Sequence, residues 1–490
     1  MSKKYVLAVD QSTQCTKSLL FDETGKLVCR RDLPHRQLID ENGWVSHDAE
    51  EIWRNVLMSA SDVIQAAGIQ AGDICCYGVS NQRETALAWD RTTGKPVCDA
   101  IVWQCSRAKE ICDRLIAKGL SPEVARRTGI PISPYFPAGK LSWILENVPE
   151  AARLAEEGKL CMGTVDTWLI HKLTGQYKTD YSNASRTQLF NISDLRWDSA
   201  VCEMFGIDPS GLAEVCDSDS VFGTTTLSGL LPAPIPVCGV MGDSHGALFG
   251  QGCHERGQVK STYGTGSSVM MNIGDKPAFS SHGLVTSLAW KFRGRAQYVM
   301  EGNLNYTGAV ISWMKDDLGL ISSAAESQPL AEQANPDDTA YIVPAFSGLG
   351  APYWSSASKA IICGITRLTG KPELVRAGLA CIAYQIADIV KAMEQDAGVP
   401  VAALRVDGGP TRNGWLMQFQ SDILGCEVQI PEVEELSAIG AAYMAGLSCG
   451  LYDDSVFDRI KYKASSPAMS NQQRISLYNG WLDAVKTVLA

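Results

Sequence analysis

Two apolar strands, each followed at once by a short hydroxyl-rich turn and a second strand, dominate the pattern of this 490-residue sequence. The two copies lie about half a chain apart, which predicts two similar domains that face each other. We place the boundary near the glycines of residues 250–252, which divides the chain into domains 1–250 and 251–490. In the first copy the strand, turn and strand are residues 5–10, 11–16 and 17–21; in the second they are 258–262, 263–267 and 268–273.

Amphipathic segments alternate with these strands along the chain. Residues 47–67 carry apolar side chains at helical spacing after Ser46, a residue type that favours the N-cap position. Residues 372–397 predict a second long helix, and residues 435–451 predict a tightly packed one because they are rich in Ala and Gly. A strand is predicted at 401–406. This alternation indicates an α/β fold.

Composition excludes several classes of protein. Apolar residues make up 45% of the chain and charged residues 20%, which is typical of a globular protein. A net charge of −11 argues against nucleic acid and anionic membrane as partners. The first apolar run is only five residues long and ends at Asp10, too short for a secretory signal, so we expect a cytoplasmic protein. The sixteen cysteines form no C-x-x-C pair, which predicts reduced thiols, and the six histidines are not grouped at ligand spacing, which predicts no zinc site of the usual kind.

Both polar turns suit the binding of a phosphate chain. Their backbone N–H groups and hydroxyls are good phosphate ligands, and one turn from each side would hold a triphosphate. Asp10, at the end of the first strand, is placed to hold Mg²⁺ through water. Neither turn has the Walker sequence, and each by itself also fits an ordinary capped hairpin. A third glycine-rich turn, residues 407–413, follows a predicted strand and would let a flat base approach the backbone.

A second group of polar residues suits a polyhydroxylated ligand. Residues 80–85 (SNQRET) lie between two apolar strands, and Trp103 follows nearby. The alternatives are a solvated surface turn and a core tryptophan. Asp243, in a glycine-flanked loop, is a candidate to accept a proton from a substrate hydroxyl, although it also fits a helix cap. We regard its neighbour His245 as a weaker candidate base.

Together these residues resemble the FGGY carbohydrate kinases of the actin-like ATPase superfamily, and most of all its glycerol kinase branch. The likeness covers nearly the whole chain. It implies two ribonuclease-H-like domains with an interdomain cleft, the first holding the polyol or sugar and the second the adenosine. The stretches that carry it are residues 80–85, 100–105, 163–168, 179–187, 343–354 (VPAFSGLGAPYW), 405–409 and 416–425 (LMQFQSDILG).

The resemblance also implies an activity and a set of site residues. The activity is in-line transfer of the ATP phosphoryl group to a hydroxyl, with Mg²⁺ near Asp10 and Asp243 as general base. The polyol pocket would be lined by Arg83, Glu84, Trp103, Tyr135, Asp243, Ser244 and Ser268. The nucleotide would contact Thr13, Gln14, Lys17, Thr265, Gly266, Gly308, Ser312, Gly409 and Asn413. Partners are limited to the small-molecule substrate and further copies of the chain, with a homodimer and a homotetramer both open.

The sequence also departs from the glycerol kinase pattern. Ser267-Ser268 replaces Cys-Phe after the second turn, and Ser244-His245 replaces a pair of glutamines after Asp243. A smaller side chain with a hydroxyl would suit a larger substrate, such as a tetritol, a pentitol, xylulose or ribulose. Residues 224–237 lack the glycine-rich run of the regulatory loop found in bacterial glycerol kinases. Two further interpretations stay open, a nucleotide-driven binding protein like actin or the heat-shock chaperones, and a sugar-binding pseudokinase.

Overall fold

The computed structural model describes residues 4–490, and its first half holds fifteen strands and nine α-helices. Among the described residues, no helix combines the length and apolar composition that crossing a bilayer requires. The strands are β1 (Tyr5–Gln11), β2 (Cys15–Asp22), β3 (Leu27–Pro34), β4 (Leu38–Ile39), β5 (Val45–His47), β6 (Ile74–Asn81), β7 (Ala86–Asp90), β8 (Ala100–Ile101), β9 (Leu160–Thr164), β10 (Lys178–Asp180), β11 (Phe190–Asn191), β12 (Arg196–Trp197), β13 (Glu214–Cys216), β14 (Gly223–Thr225) and β15 (Ile235–Gly242). The helices are α1 (Ala49–Ala67), α2 (Lys109–Ala117), α3 (Ser121–Thr128), α4 (Pro137–Asn147), α5 (Pro149–Glu156), α6 (Val165–Thr174), α7 (Tyr181–Ala184), α8 (Ser199–Met204) and α9 (Asp243–Gly250).

The second half holds nine strands and six α-helices, with short segments of 3₁₀- and π-helix between some of them. The strands are β16 (Val259–Tyr263), β17 (Ser267–Gly274), β18 (Val285–Phe292), β19 (Arg295–Leu304), β20 (Tyr341–Val343), β21 (Ile361–Cys363), β22 (Ala403–Asp407), β23 (Glu427–Pro431) and β24 (Tyr462–Ser465). The helices are α10 (Gly308–Ser312), α11 (Ser327–Gln333), α12 (Lys371–Ala397), α13 (Gly414–Leu424), α14 (Leu436–Ser448) and α15 (Asn471–Leu489).

The two main sheets are built in the same way around the two predicted hairpins. In the first sheet, of order β14-β15-β6-β1-β2-β3, β1 runs antiparallel to β2 and parallel to β6. In the second, of order β18-β19-β17-β16-β22-β23-β24, β16 runs antiparallel to β17 and parallel to β22. Both predicted hairpins are therefore confirmed, and so is the α/β class with two ribonuclease-H-like domains.

The helices that follow the last parallel strand of each half form the layer between the two sheets. Helix α14, from the second half, packs on β1, β6 and β15 of the first sheet and also on α9. The core around these two helices includes Val6 of the first sheet and Met270 of the second. Glycines allow the helices to meet, since a Cβ on Gly440 would lie 1.9 Å from the carbonyl oxygen of Gly246. This contact accounts for the small residues predicted in the segment 435–451.

Two predicted helix ends differ from the structure. Helix α1 begins at Ala49 with Asp48 as its N-cap, whose carboxylate accepts a hydrogen bond from the Glu50 backbone N–H. Ser46, the predicted cap, lies in β5 instead, where the chain pairs with β8. Helix α14 ends at Ser448, three residues before the predicted end.

Candidate active site

Asp10 and Lys17 face each other across the first hairpin, near the carboxyl end of β1. Their backbones pair in the register of β1 and β2, and Lys17 Nζ lies 3.5 Å from Asp10 Oδ2. Ser80 Oγ, from the end of the neighbouring strand β6, donates to Asp10 Oδ1 at 2.9 Å. Burial raises the pKa of Asp10 to about 6, against the opposing effect of Lys17. Asp243 raises the same pKa further, because its negative charge is close.

The tip of the first hairpin connects the candidate phosphate turn with the candidate polyol pocket. The backbone N–H of Ser12 donates to the Cys15 carbonyl and closes the turn. Trp103 Nε1 donates to Thr13 Oγ1 at 2.9 Å. A residue predicted to line the polyol pocket therefore contacts one predicted to bind the nucleotide. Gln14 is exposed at the tip.

The second hairpin is closed in the same manner, and backbone hydrogen bonds join its turn to the start of α10. Gly264 N–H donates to the Gly266 carbonyl at 2.7 Å. The N–H groups of Thr307 and Ala309 both donate to the Thr265 carbonyl, and Gly308 N–H donates to the Gly264 carbonyl. Gly308 therefore lies against the turn, while Ser312 is exposed at the far end of α10.

The third predicted turn borders the same cleft as the first hairpin. Gly408 has φ 98° and leaves no room for a side chain, because a Cβ there would lie 2.0 Å from the Tyr263 carbonyl oxygen. Asn413 caps α13 by accepting from the Leu416 N–H, and its amide donates to Ser327 Oγ. The cleft is lined by Asp10, Lys17, Gly409, Thr411, Arg412 and Glu435, among others.

Asp243 lies at the first position of α9, beside the candidate polyol residues. Its Oδ1 is 3.2 Å from Arg83 Nε, and its side chain is 34% exposed. Arg83 and Glu84 are buried at the end of the segment after β6. The rings of Trp103 and Tyr135 lie 5.5 Å apart and are only partly buried. Predicted acid, arginine and aromatic residues, far apart in sequence, thus meet in one place.

Sequence reasoning missed the ion pairs that hold this pocket together. The carboxylate of Glu301 accepts from Arg83 Nη1 and Nη2 at 3.0 and 2.9 Å, and Arg186 Nη1 lies 2.8 Å from its Oε2. Arg186 Nε in turn donates to Glu84 Oε1 at 2.6 Å. Burial would raise the pKa of Glu301, yet the charges of Arg186 and Arg83 hold it well below its usual value. Arg186 falls within the matched stretch 179–187, whereas nothing in the sequence pattern points to Glu301.

The structure also places the two serines and the histidine that depart from the expected pattern. Ser268 Oγ donates to Glu301 Oε1 at 2.9 Å, so its hydrogen is already used within the protein. Ser244 follows Asp243 on α9 and is partly exposed. His245 is fully buried, and burial together with the nearby Arg83 charge holds its pKa well below the usual value. Of the two candidate bases, only Asp243 is accessible to a substrate.

Two matched α/β domains, a polar hairpin at the equivalent place in each and a partly exposed carboxylate beside the cleft define a phosphotransferase of the actin-like ATPase type. Comparison with known families gives a specific answer. Residues 5–250 match the N-terminal domain of the FGGY family of carbohydrate kinases, and residues 259–449 match its C-terminal domain. The chain belongs to this family. It is therefore an enzyme that transfers a phosphoryl group from ATP to an alcohol group of a polyol or sugar.

Similar proteins cover the full length of the chain. A glycerol kinase of Carboxydothermus hydrogenoformans is 47% identical over 99% of this chain and 98% of its own, and glycerol kinase 1 of Thermotoga maritima is 46% identical over 99% of each. The crystal structure of Plasmodium falciparum glycerol kinase with ADP superposes with a TM-score of 0.94 at 35% identity, over 99% of this chain and 98% of that one.

Proposed function

We propose that this enzyme phosphorylates glycerol. The full-length similarity to several proteins named glycerol kinase supports this substrate. The observation that carries the proposal is the contact between Asp243 and Arg83, 3.2 Å apart, beside the cleft that Asp10 and Lys17 line. A small triol bound there would have one hydroxyl against the carboxylate and the others within reach of fixed charged groups.

In the proposed mechanism Asp243 aligns the attacking hydroxyl and accepts its proton. Arg83 and Glu84 bind the remaining hydroxyls, since both are buried and held in place by ion pairs. Trp103 and Tyr135 cover the carbon face of the substrate. Strong base catalysis is not needed, because the loose transition state of phosphoryl transfer depends more on alignment than on full deprotonation.

The nucleotide is assigned to the two hairpins and the third turn. Thr13, Gln14 and Lys17 from one side and Thr265 and Gly266 from the other would bind the phosphates. Gly308, Ser312, Gly409 and Asn413 would border the nucleoside. Because the Asn413 side chain already caps α13, we expect its backbone and the flat face of its amide, rather than new hydrogen bonds, to contact the base.

The residues around Asp10 fit Mg²⁺. Its carboxylate is a hard oxygen ligand, and only Oδ1 is engaged by Ser80, while Oδ2 faces the cleft beside Lys17. Bound Mg²⁺ would neutralise charge on the phosphates of ATP. Asp10 would hold it through water, as magnesium usually retains several waters.

A larger polyol or ketose is the second candidate substrate. The small side chain of Ser268 favours it, because Ser268 replaces the Phe expected from the glycerol kinase pattern. The argument for a larger substrate has two parts, the extra room beside Ser268 and its added hydroxyl. The second part is weakened, because the hydroxyl donates to Glu301 and is not free to donate to a substrate. We therefore retain glycerol as the proposed substrate.

A panel of polyols tests the assignment. ATP consumption is measured with glycerol, a tetritol, a pentitol, xylulose and ribulose, and Asp243→Asn is the control for background hydrolysis. We expect the highest kcat/KM with glycerol. A higher kcat/KM with a tetritol or ketose would contradict the assignment of glycerol as substrate. A rate of ATP hydrolysis that no polyol changes would contradict the proposed mechanism. A cytoplasmic location and a dimer or tetramer stay predictions of this proposal.

A further inference from the structure

Three cysteines that are far apart in sequence meet at the end of the interdomain layer opposite the cleft. The sulfurs of Cys75, Cys76 and Cys449 all lie within 4.8 Å of one another, and Cys449 Sγ is 3.4 Å from Cys76 Sγ. Cys75 and Cys76 belong to β6, whereas Cys449 directly follows α14. No other such group of three possible metal-binding residues occurs in the part of the chain that the structure describes.

A bulge in β6 makes this arrangement possible. Adjacent side chains of a regular strand point to opposite faces of the sheet, which would separate Cys75 from Cys76. Here the register with β1 shifts, so that Tyr5 pairs with Ile74 and Val6 with Cys76, leaving Cys75 as the extra residue. Bulges redirect a side chain in this way. As a result both sulfurs are close to Cys449.

The spacing of the sulfurs suits a thiolate-bound metal. With metal–sulfur bonds of about 2.3 Å, tetrahedral or trigonal ligation places the sulfurs about 3.8–4.0 Å apart, which small side-chain rotations would reach here. Cys449 is exposed, Cys75 partly so and Cys76 buried, so an ion has both an entry path and a protected side. The carboxyl end of α14 adds backbone carbonyls, which favour a cation.

We propose that Cys75, Cys76 and Cys449 form a binding site for a thiophilic d¹⁰ cation of the Zn²⁺ type. Soft thiolate ligands select such ions over Mg²⁺. Each thiol loses its proton to solvent when it binds the ion, so three protons are released. Three thiolates and one divalent cation then give the occupied site a net charge of −1. Solvent takes the fourth position, on the exposed side of Cys449. The bound ion joins the first sheet to a helix from the second half of the chain.

The test uses Cd²⁺ as a spectroscopic probe and Zn²⁺ as competitor, with the full-length protein kept reduced by a phosphine. We expect one Cd²⁺ per chain with sulfur-to-cadmium charge-transfer absorption, displaced by Zn²⁺. Cys449→Ser should weaken binding by at least about 10-fold, since even loss of an outer-shell partner costs a metal site that much. The matched control Cys363→Ser, a partly buried thiol at the end of β21, should bind as the unaltered protein does.

Folding and activity are separate readouts in the same experiment. Helix α14 is about 20 Å long and separates Cys449 from Glu435 at the cleft, so Cys449→Ser should leave phosphoryl transfer unchanged. Should that variant fail to fold, Cys75→Ser takes its place. Equal Cd²⁺ affinity in the cluster variant and the control would overturn the proposal. Loss of two titratable thiols in a metal-free sample prepared without the phosphine would overturn it as well, because the cysteines would then form a disulfide.

Discussion

Replacing Glu301 by Gln removes one buried charge from the polyol pocket while keeping nearly the same shape. Glu301 is fully buried, and its two oxygens accept three hydrogen bonds and contact one further arginine. Oε1 accepts from Arg83 Nη2 and Ser268 Oγ, Oε2 accepts from Arg83 Nη1, and Arg186 Nη1 forms an ion pair with Oε2 at 2.8 Å. Whichever way the amide of Gln is turned, its NH₂ group faces an arginine N–H.

The magnitude follows from these contacts. One hydrogen bond from Arg83 is lost, together with either the bond from Ser268 or the ion contact with Arg186, and contacts of this kind to a charged group contribute about 1.5–3 kcal/mol each. This agrees with the cost of about 3–5 kcal/mol for breaking a buried ion pair. We therefore expect a loss of stability of that size. If displacement of Arg83 weakens polyol binding by about 1.4 kcal/mol of this total, the KM for the polyol rises about tenfold. The KM for ATP should change little, because Glu301 touches no predicted nucleotide residue.

The assays are thermal or urea unfolding and steady-state kinetics with each substrate varied in turn. The matched control is Glu146→Gln, which breaks a half-exposed pair with Arg114. Such pairs contribute about 0–1 kcal/mol. If Glu301→Gln unfolds like the control and keeps its polyol KM, Glu301 does not position Arg83. A general loss of kcat with both KM values unchanged would also contradict this role.

Three further substitutions test other parts of the structure. Asp243→Asn should lower kcat by at least about 100-fold while ATP binding is retained, and near-normal turnover would exclude Asp243 as the base. Gly440→Ala should destabilise the interdomain layer by about 1–3 kcal/mol because its Cβ meets the Gly246 carbonyl. Gly414→Ala, with 3.5 Å of clearance, serves as its control in the same unfolding assay, and equal stability of the two would refute the contact. Burial lowers the pKa of Lys140 to about 7, against 10.5 in the unfolded chain. Between these two pH values the unfolded chain binds a proton at Lys140 that the folded protein has lost. The free energy of unfolding therefore rises with pH in this range. Lys140→Met should remove that rise, and unfolding curves with an unchanged pH dependence would show that Lys140 is not its source.

Much of the fold was predictable because its signals are local. The hairpins at β1–β2 and β16–β17 follow from apolar runs interrupted by small polar residues, and a strand is defined by its immediate neighbours. The long helices α1 and α12 follow from apolar spacing in the same way. The start of α1 was misplaced by two residues, since Ser46 and Asp48 are both good caps and only the pairing of β5 with β8 decides between them.

The candidate site was predictable only in part. Asp10, Arg83 and Asp243 were predicted from polar residues at strand ends and from the resemblance to a family, and the structure places them near one another. The partners of those residues were not. Glu301 lies 218 residues from Arg83 in the chain, and no periodicity connects them. Its importance arises from burial, because a charge removed from water must be paired, and the pairing depends on which strands the fold brings together.

The sequence by itself determined the two repeated hairpins, the α/β class and the family, since these depend on short-range pattern and on stretches of matching residues. Tertiary structure alone decided that α14 crosses to the sheet of the other half, that Glu301 joins Arg83 to Arg186, and that three cysteines meet at a bulge. The physical reason is that close packing and charge neutralisation act between atoms that are near in space, whatever their separation along the chain.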